Sequence, residues 1–334
     1  MKSIKLALVG ATGAVGEVII ELLGKQELAI EQLYLLASQR TAGTSLMFRS
    51  RPVVVRELSD FDFAQVDLVI FVANSEVSSS TLSAAQSKGC LVIDNSQVFA
   101  ESAPLIVPFV NGHLLAAKPK LVVNPDSNAI QLTTLLKPFM DSVGIKRVNV
   151  TALQSVSSHG KKALHELASQ TASLLNGRGA KAEVYPKQIA FNLLPSIGDI
   201  ADDGHSDTEQ RLVQQTRRIL GDETLNINAV CIQAPIFYVD CMAVTFDTIE
   251  PLTLDNARQI LEKNSEIRIL DYIDKNKMAT PVTHGTGSES IIVSRLRQDM
   301  SHDNGINLWM MIDSVKKSAA INTIQITREL IKSH

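Results

Sequence analysis

Gly10-Ala11-Thr12-Gly13-Ala14-Val15-Gly16 follows an apolar run at residues 5–9 and opens a segment carrying Val18, Ile19 and Leu22 at helical spacing. Three glycines between a strand and a helix allow a tight turn. They also let backbone N–H groups approach a pyrophosphate at the helix N-terminus. A glycine triplet alone says little; the strand before it and the helix after it make it a dinucleotide-binding signal rather than a plain turn. Gly10, Thr12, Gly13, Ala14 and Val15 are therefore the candidate cofactor contacts of this turn. The next strand-like run ends in Ala37-Ser38-Gln39-Arg40-Thr41, about 20 residues further on, where an NAD protein places an acid on the ribose hydroxyls. No Asp or Glu stands there. Ser38, Arg40 and Thr41 suit a 2′-phosphate, so NADP is the expected cofactor and NAD the weaker one. A solvated loop charge is an equal reading of Arg40 taken alone.

Outward from this turn, apolar runs at 33–37, 53–55, 68–73, 91–94 and 121–124 alternate with helical spacing at 15–23 and 81–87. Strands alternating with helices predict parallel βαβ units in a doubly wound sheet. The pattern changes near residues 124–127. A helix over 127–140 carries Ile130, Leu132, Leu135, Leu136 and Phe139 on one side, opened by a Ser or Asn cap. Strands are predicted at 147–156, 227–236, 242–249, 267–272, 291–297 and 306–312, with helices at 161–175, 207–220, 254–263 and about 315–331. So many alternating strands predict an open mixed or antiparallel sheet with one covered face, a substrate or subunit platform. The fold class is α/β, with two domains.

The 334 residues fit two domains of ordinary size. A net charge of −3 gives no electrostatic case for nucleic acid or an anionic membrane. The apolar run 68–73 is far short of the roughly 18 residues that span a bilayer. Met1-Lys2-Ser3 leads into the first strand without a cleavage pattern, so a cytoplasmic protein is expected. Cys90, Cys231 and Cys241 form no CxxC and sit in strand-like stretches, where they read as small buried hydrophobes in a reducing compartment.

Seven segments in one order resemble the aspartate-semialdehyde dehydrogenase family: GATGAVG, ASQRTAG, Asp94-Asn95-Ser96, VVNPDSNAIQL, Gln154-Ser155-Val156-Ser157, AFNLLPSIG and AAINTIQI. The resemblance implies a Rossmann-type NADP domain over 1–126, completed by a C-terminal helix over 315–334. An α+β dimerisation and substrate domain then covers 127–314, and a homodimer is implied. The family reaction uses a thiolate to attack an aldehyde, passes hydride to NADP and releases the acyl group to phosphate, with a histidine handling protons.

At the family's functional positions this chain departs from the pattern. The cysteine position of an NPxCST-like motif is Ser127 in Asn124-Pro125-Asp126-Ser127-Asn128-Ala129. An RVPVxxGH-like motif reads Gln233-Ala234-Pro235-Ile236-Phe237-Tyr238-Val239-Asp240, which puts Gln233 at the substrate arginine and Asp240 at the histidine. Ala100 stands at the phosphate-binding arginine, and an ExxK-like element becomes Thr208 and Arg211, of which only Arg211 keeps its charge. A DNLRKGAA-like segment reads Asp313-Ser314-Val315-Lys316-Lys317-Ser318-Ala319-Ala320, and a glycine pair becomes Asn74-Ser75. Gln154 is retained and is expected to bond adjacent backbone.

A serine hydroxyl needs a strong base, and an ordinary carboxylate of pKa about 4 is a poor one. Ser127 therefore reads first as a helix N-cap and Asp240 as a polar residue at a strand end, ahead of a working pair. His159, in a segment resembling SGAG, either intrudes into the old pocket or supplies a base. The expected protein is a silent or altered paralogue resembling the Usg-type proteins of bacteria. The alternative is an NADP-dependent oxidoreductase for another aldehyde or related small substrate, without a covalent intermediate. A pure interaction protein without nucleotide is the third reading.

Overall fold

The computed structural model describes residues 3–73, 75–271 and 278–333. The described chain divides into two compact units, Met1–Pro125 with Ser318–His334, and Asp126–Lys317.

The first unit is a seven-stranded sheet. Its strands are β1 (Ile4–Val9), β2 (Ile30–Ala37), β3 (Ser45–Phe48), β4 (Arg51–Glu57), β5 (Leu68–Phe71), β6 (Leu91–Asp94) and β7 (Leu121–Val123), in the order β3-β4-β2-β1-β5-β6-β7. All neighbours are parallel except β3, which runs antiparallel to β4. That hairpin was absent from the sequence reading. Its turn residues Arg49 and Ser50 both adopt positive φ (48° and 62°), a conformation usually announced by Asn-Gly or Asp-Gly.

Helices α1 (Ala14–Lys25), α2 (Ser75–Ser87) and α3 (Pro108–Asn111) fill the crossovers. β1 alternates between two cores, as a strand with both faces buried must. Leu6 and Leu8 join Ile19 and Leu23 of α1, whereas Ala7 and Val9 join Phe71, Leu82 and Ala85.

The second unit holds α4 (Ser127–Ser142), β8 (Ile145–Gln154), α5 (Gly160–Leu175), α6 (Asp207–Leu220), β9 (Asn226–Gln233), β10 (Val239–Thr248), α7 (Leu254–Glu262), β11 (Ile267–Ile269), β12 (Ile291–Gln298) and β13 (Gly305–Asp313). Its six strands run β11-β12-β13-β10-β8-β9, antiparallel in the middle and parallel at each edge. On β8, Val148, Val150 and Ala152 are buried while Asn149, Thr151 and Leu153 are half-exposed. This is the alternation of a sheet with one covered face. α4 packs on β8, β10 and β13 and against α6 and α7. The Phe139 and Phe246 rings lie 4.8 Å apart beneath it.

The expected strand 267–272 is described only as Ile267–Ile269, and its last residue lies outside the described residues, as does Asn74. The expected final helix is two elements, a π-helical stretch Ser314–Ile321 and α8 (Asn322–Ser333). Asn322 Nδ2 donates to the Ile106 carbonyl at 2.9 Å, and Ile324 and Leu330 complete the core of the first unit. Among the described residues no helix is long and apolar enough to cross a membrane. All three cysteines are buried free thiols.

Candidate functional site

In the first unit, Val9 of β1 runs into Gly10 at φ 88°. A Cβ there would stand 2.9 Å from the Val72 carbonyl carbon, so both its φ and its close neighbour require glycine. Gly10 N donates to Leu36 O at 2.9 Å and Gly13 N to Gly10 O at 3.0 Å, which closes the turn. Gly13 caps α1 without any side-chain bond, and the first-turn amides of a helix have no intrahelical acceptor. The amides of Ala14 and Val15 therefore face an anion's natural seat.

Gly16 has a different job. A Cβ on it would overlap the Gly10 carbonyl oxygen and come within 2.8 Å of Ala11 O, so it lets α1 pack onto the turn.

The Ser38–Thr41 turn is brought to this same place. Thr12 Oγ1 lies 3.2 Å from Thr41 Oγ1, and Ser38 O accepts from Thr41 N at 3.0 Å. The side chains of Ser38 and Arg40 are exposed. The residues fit a dinucleotide: a glycine cradle with no room for a Cβ, an uncapped helix start, and a cation on the neighbouring turn.

Nearby, buried Asp94 ties its own loop, accepting from Ser96 N at 2.6 Å and Phe99 N at 3.3 Å. Ala100 ends that loop with a methyl group.

In the second unit, the cap of α4 is Asp126 rather than Ser127. Asp126 Oδ1 accepts from Asn128 N at 2.9 Å, and Asp126 N donates to Gln215 Oε1 of α6 at 2.9 Å. Ser127 is the first helical residue, half-buried, and its hydroxyl donates to Asp240 Oδ2. The N-cap reading of Ser127 is thus replaced, because the preceding aspartate already satisfies the first turn.

Asp240 is no ordinary strand-end residue either. It is fully buried as the second residue of β10. Its Oδ1 accepts from Ser155 N at 2.8 Å and Ser155 Oγ at 2.7 Å. Burial pushes its pKa up to about 6, against the lowering effect of the Ser127 and Ser155 hydrogen bonds, with Asp126 adding a smaller upward push.

Behind it runs a chain of buried hydroxyls that the sequence reading missed. Ser155 Oγ lies 3.0 Å from Ser157 Oγ, which lies 2.8 Å from Ser314 Oγ. The sequence signal available for this chain was the cluster of Ser155, Ser157 and Ser158 after Gln154, with Ser314 after Asp313.

Gln154 ends β8 and pairs in register with Gln233 at the end of β9. The Gln154 carbonyl, not its side chain, does the bonding expected of that residue: it accepts from Gln233 Nε2 at 2.8 Å and Ala234 N at 2.9 Å. The Oε1 atoms of both glutamines are buried without a partner. Arg211 lies on α6, half-exposed and paired with Asp207 at 3.2 Å, and its charge draws the raised pKa of Asp126 back down.

His159 is exposed, with Nδ1 3.2 Å from Ser158 Oγ and its ring edge-on to Tyr185 at 5.3 Å. The thiols stand elsewhere. Burial raises Cys231 to about 12 and also pushes Cys241 upward, and strand alternation turns Cys241 away from its neighbour Asp240.

The family model described as "Semialdehyde dehydrogenase, NAD binding domain" matches residues 5–118, and "Semialdehyde dehydrogenase, dimerisation domain" matches 136–317. The chain belongs to the semialdehyde dehydrogenase family. An aspartate-semialdehyde dehydrogenase of Legionella pneumophila is 39% identical over 98% of this chain and 96% of that protein. A Pseudomonas aeruginosa protein called "USG-1 protein homolog" is 35% identical over 99% of this chain and 98% of its own. Among solved structures, aspartate semialdehyde dehydrogenase II of Vibrio cholerae is 38% identical with a TM-score of 0.95, covering 99% of each chain. As in other members of this semialdehyde dehydrogenase family, a Rossmann-type NAD-binding domain is combined with a dimerisation domain.

Proposed function

We propose that this protein is a Usg-type member of the semialdehyde dehydrogenase family that keeps the fold and an NADP pocket but does not carry out the phosphorylating oxidation of aspartate semialdehyde. The observation that carries this reading is the hydrogen bond from Ser127 to the buried Asp240. A hydroxyl and a carboxylate stand where, by the resemblance, a thiol and an imidazole belong. Ser127 is far less acidic than a thiol, so its hydroxyl does not replace the thiolate that the phosphorylating oxidation requires. Gln233 lacks the bidentate cation that would hold a substrate carboxylate, and Ala100 has no donor for phosphate.

In the first unit, Gly10, Thr12, Gly13, Ala14 and Val15 hold the pyrophosphate, and Ser38, Arg40 and Thr41 receive the 2′-phosphate. When bound, the nicotinamide supplies a hydride acceptor. The protein is a cytoplasmic homodimer: the dimerisation-domain match and three buried reduced thiols support that assignment.

Calorimetry with NADP and with NAD, without substrate, tests the cofactor half of the reading. Tighter binding of NADP than NAD supports it; the absence of binding by either contradicts it.

A further inference from the structure

We propose that Ser127 and Asp240 form a nucleophile–base pair that transfers the acyl group of small activated esters and thioesters to water. The inference goes beyond the reading above and does not need the dinucleotide.

The geometry satisfies each requirement of such a site in turn. The nucleophile's O–H is donated directly to the base, Asp240 Oδ2. The base is itself oriented, because the backbone N–H and hydroxyl of Ser155 both bond Oδ1 and leave Oδ2 aimed at Ser127. Ser157 and Ser314 extend that support from behind through hydroxyl contacts to Ser155 and to each other. Ser127 is half-buried, and Asp126 has taken over the capping of α4, so the hydroxyl has no structural duty to the helix. α4 is sixteen residues long. The amide of Ser127 at its start has no intrahelical acceptor and lies at the positive end of the helix dipole, which favours charge developing on an acyl oxygen.

A purely structural bond from Ser127 needs no charge; an amide at position 240 would accept it as well. A completely buried carboxylate is costly unless it is hydrogen-bonded, and Asp240 receives two serine hydroxyls and one backbone N–H. Burial also brings this base close to neutrality, the range that suits proton transfer at ordinary pH. Among the described residues, the charge of Asp126 raises Asp240, and Asp240 in turn adds to the upward push on Tyr185, Cys231 and Cys241.

In the first step Ser127 Oγ bonds to the acyl carbon while its proton passes to Asp240. The bond from that carbon to the leaving oxygen or sulfur breaks, and the leaving group departs with the proton, leaving an ester on Ser127. Water then attacks the ester carbonyl and gives a proton to Asp240, which returns it to Ser127 as the carboxylic acid is released.

The full-length protein is incubated with p-nitrophenyl acetate and with S-acetyl-N-acetylcysteamine. Release of the leaving group is followed, and peptide mass spectrometry locates the acetyl group. The expected results are acetylation at Ser127, a loss of about 100-fold or more in turnover in Ser127→Ala, and a similar loss in Asp240→Asn. In the wild type kcat/KM rises with pH through about 6, and this inflection is missing in Asp240→Asn. Wild-type turnover in Ser127→Ala, or acetyl groups on lysines alone, overturns the proposal. If Asp240→Asn fails to fold, Ser127→Ala still decides, since it removes one half-buried oxygen. NADP calorimetry on the same samples reports separately on the cofactor reading.

Discussion

Ser127 opens α4 and Asp240 lies at the start of β10, 113 residues later, yet one hydrogen bond joins their side chains. The bond pairs a weakly acidic hydroxyl with a buried carboxylate that Ser155 also holds.

Asp240 carries a pH signature in stability. Its pKa in the folded chain is about 6, raised from an ordinary 3.8 mainly by burial. A raised carboxyl favours the fold in its protonated form. Its contribution is complete below pH 3.8 and is lost as pH rises through 6. Asp240→Asn should therefore gain on the wild type by on the order of 3 kcal/mol between pH 3.8 and pH 7, the equivalent of about two pKa units. Urea unfolding of both proteins across this range measures the difference; a constant gap contradicts the assignment.

Gly16→Ala should destabilise the first unit whether or not a dinucleotide is present. The added methyl meets Ala11 O at 2.8 Å and overlaps the Gly10 carbonyl. Overpacking of this kind costs about 1–3 kcal/mol, offset by up to about 1 kcal/mol from better helix propensity. The thermal midpoint should fall equally with and without NADP added in fixed excess over its Kd.

Arg40→Ala should weaken NADP binding by about tenfold and leave NAD binding nearly unchanged. The proposed role of the exposed Arg40 is to receive a 2′-phosphate, a group that the bare ribose of NAD lacks. Calorimetry with both cofactors reads the ratio, and equal losses would mean that Arg40 only shapes its turn.

The three cysteines should resist modification in the native state. Each is buried, and burial raises the pKa of each, to about 12 for Cys231. A thiol-reactive dye should label none of them at pH 8 within minutes and all three after denaturation. Rapid native labelling would place a reactive thiol where none is expected.

The first unit was legible because its signals are local. Gly10 to Gly16 sits between a strand and a helix, and each run of Val, Ile and Leu is bounded by a turn. The hairpin of β3 and β4 was not, because Arg49 and Ser50 reach positive φ without glycine or asparagine.

In the second unit the resemblance singled out Ser127 and Asp240, but not the bond between them. The spacing of Ser127 and Asp240 along the chain says nothing of a bond across a strand and a helix. Ser127 looked like a cap because serine commonly is one, and only the neighbouring Asp126 bond to Asn128 shows that the role is taken. The raised pKa of Asp240 arises from burial by distant elements, which no local pattern records. The same holds for Ser155, Ser157 and Ser314, which meet only when β8 and β13 pair through β10.

The most direct test of the account is NADP reduction by the purified protein with aspartate semialdehyde and phosphate. The prediction is no NADPH formation above that of Ser127→Ala under the same conditions. NADPH formation that requires both the semialdehyde and phosphate, and that disappears in Ser127→Ala, would contradict it.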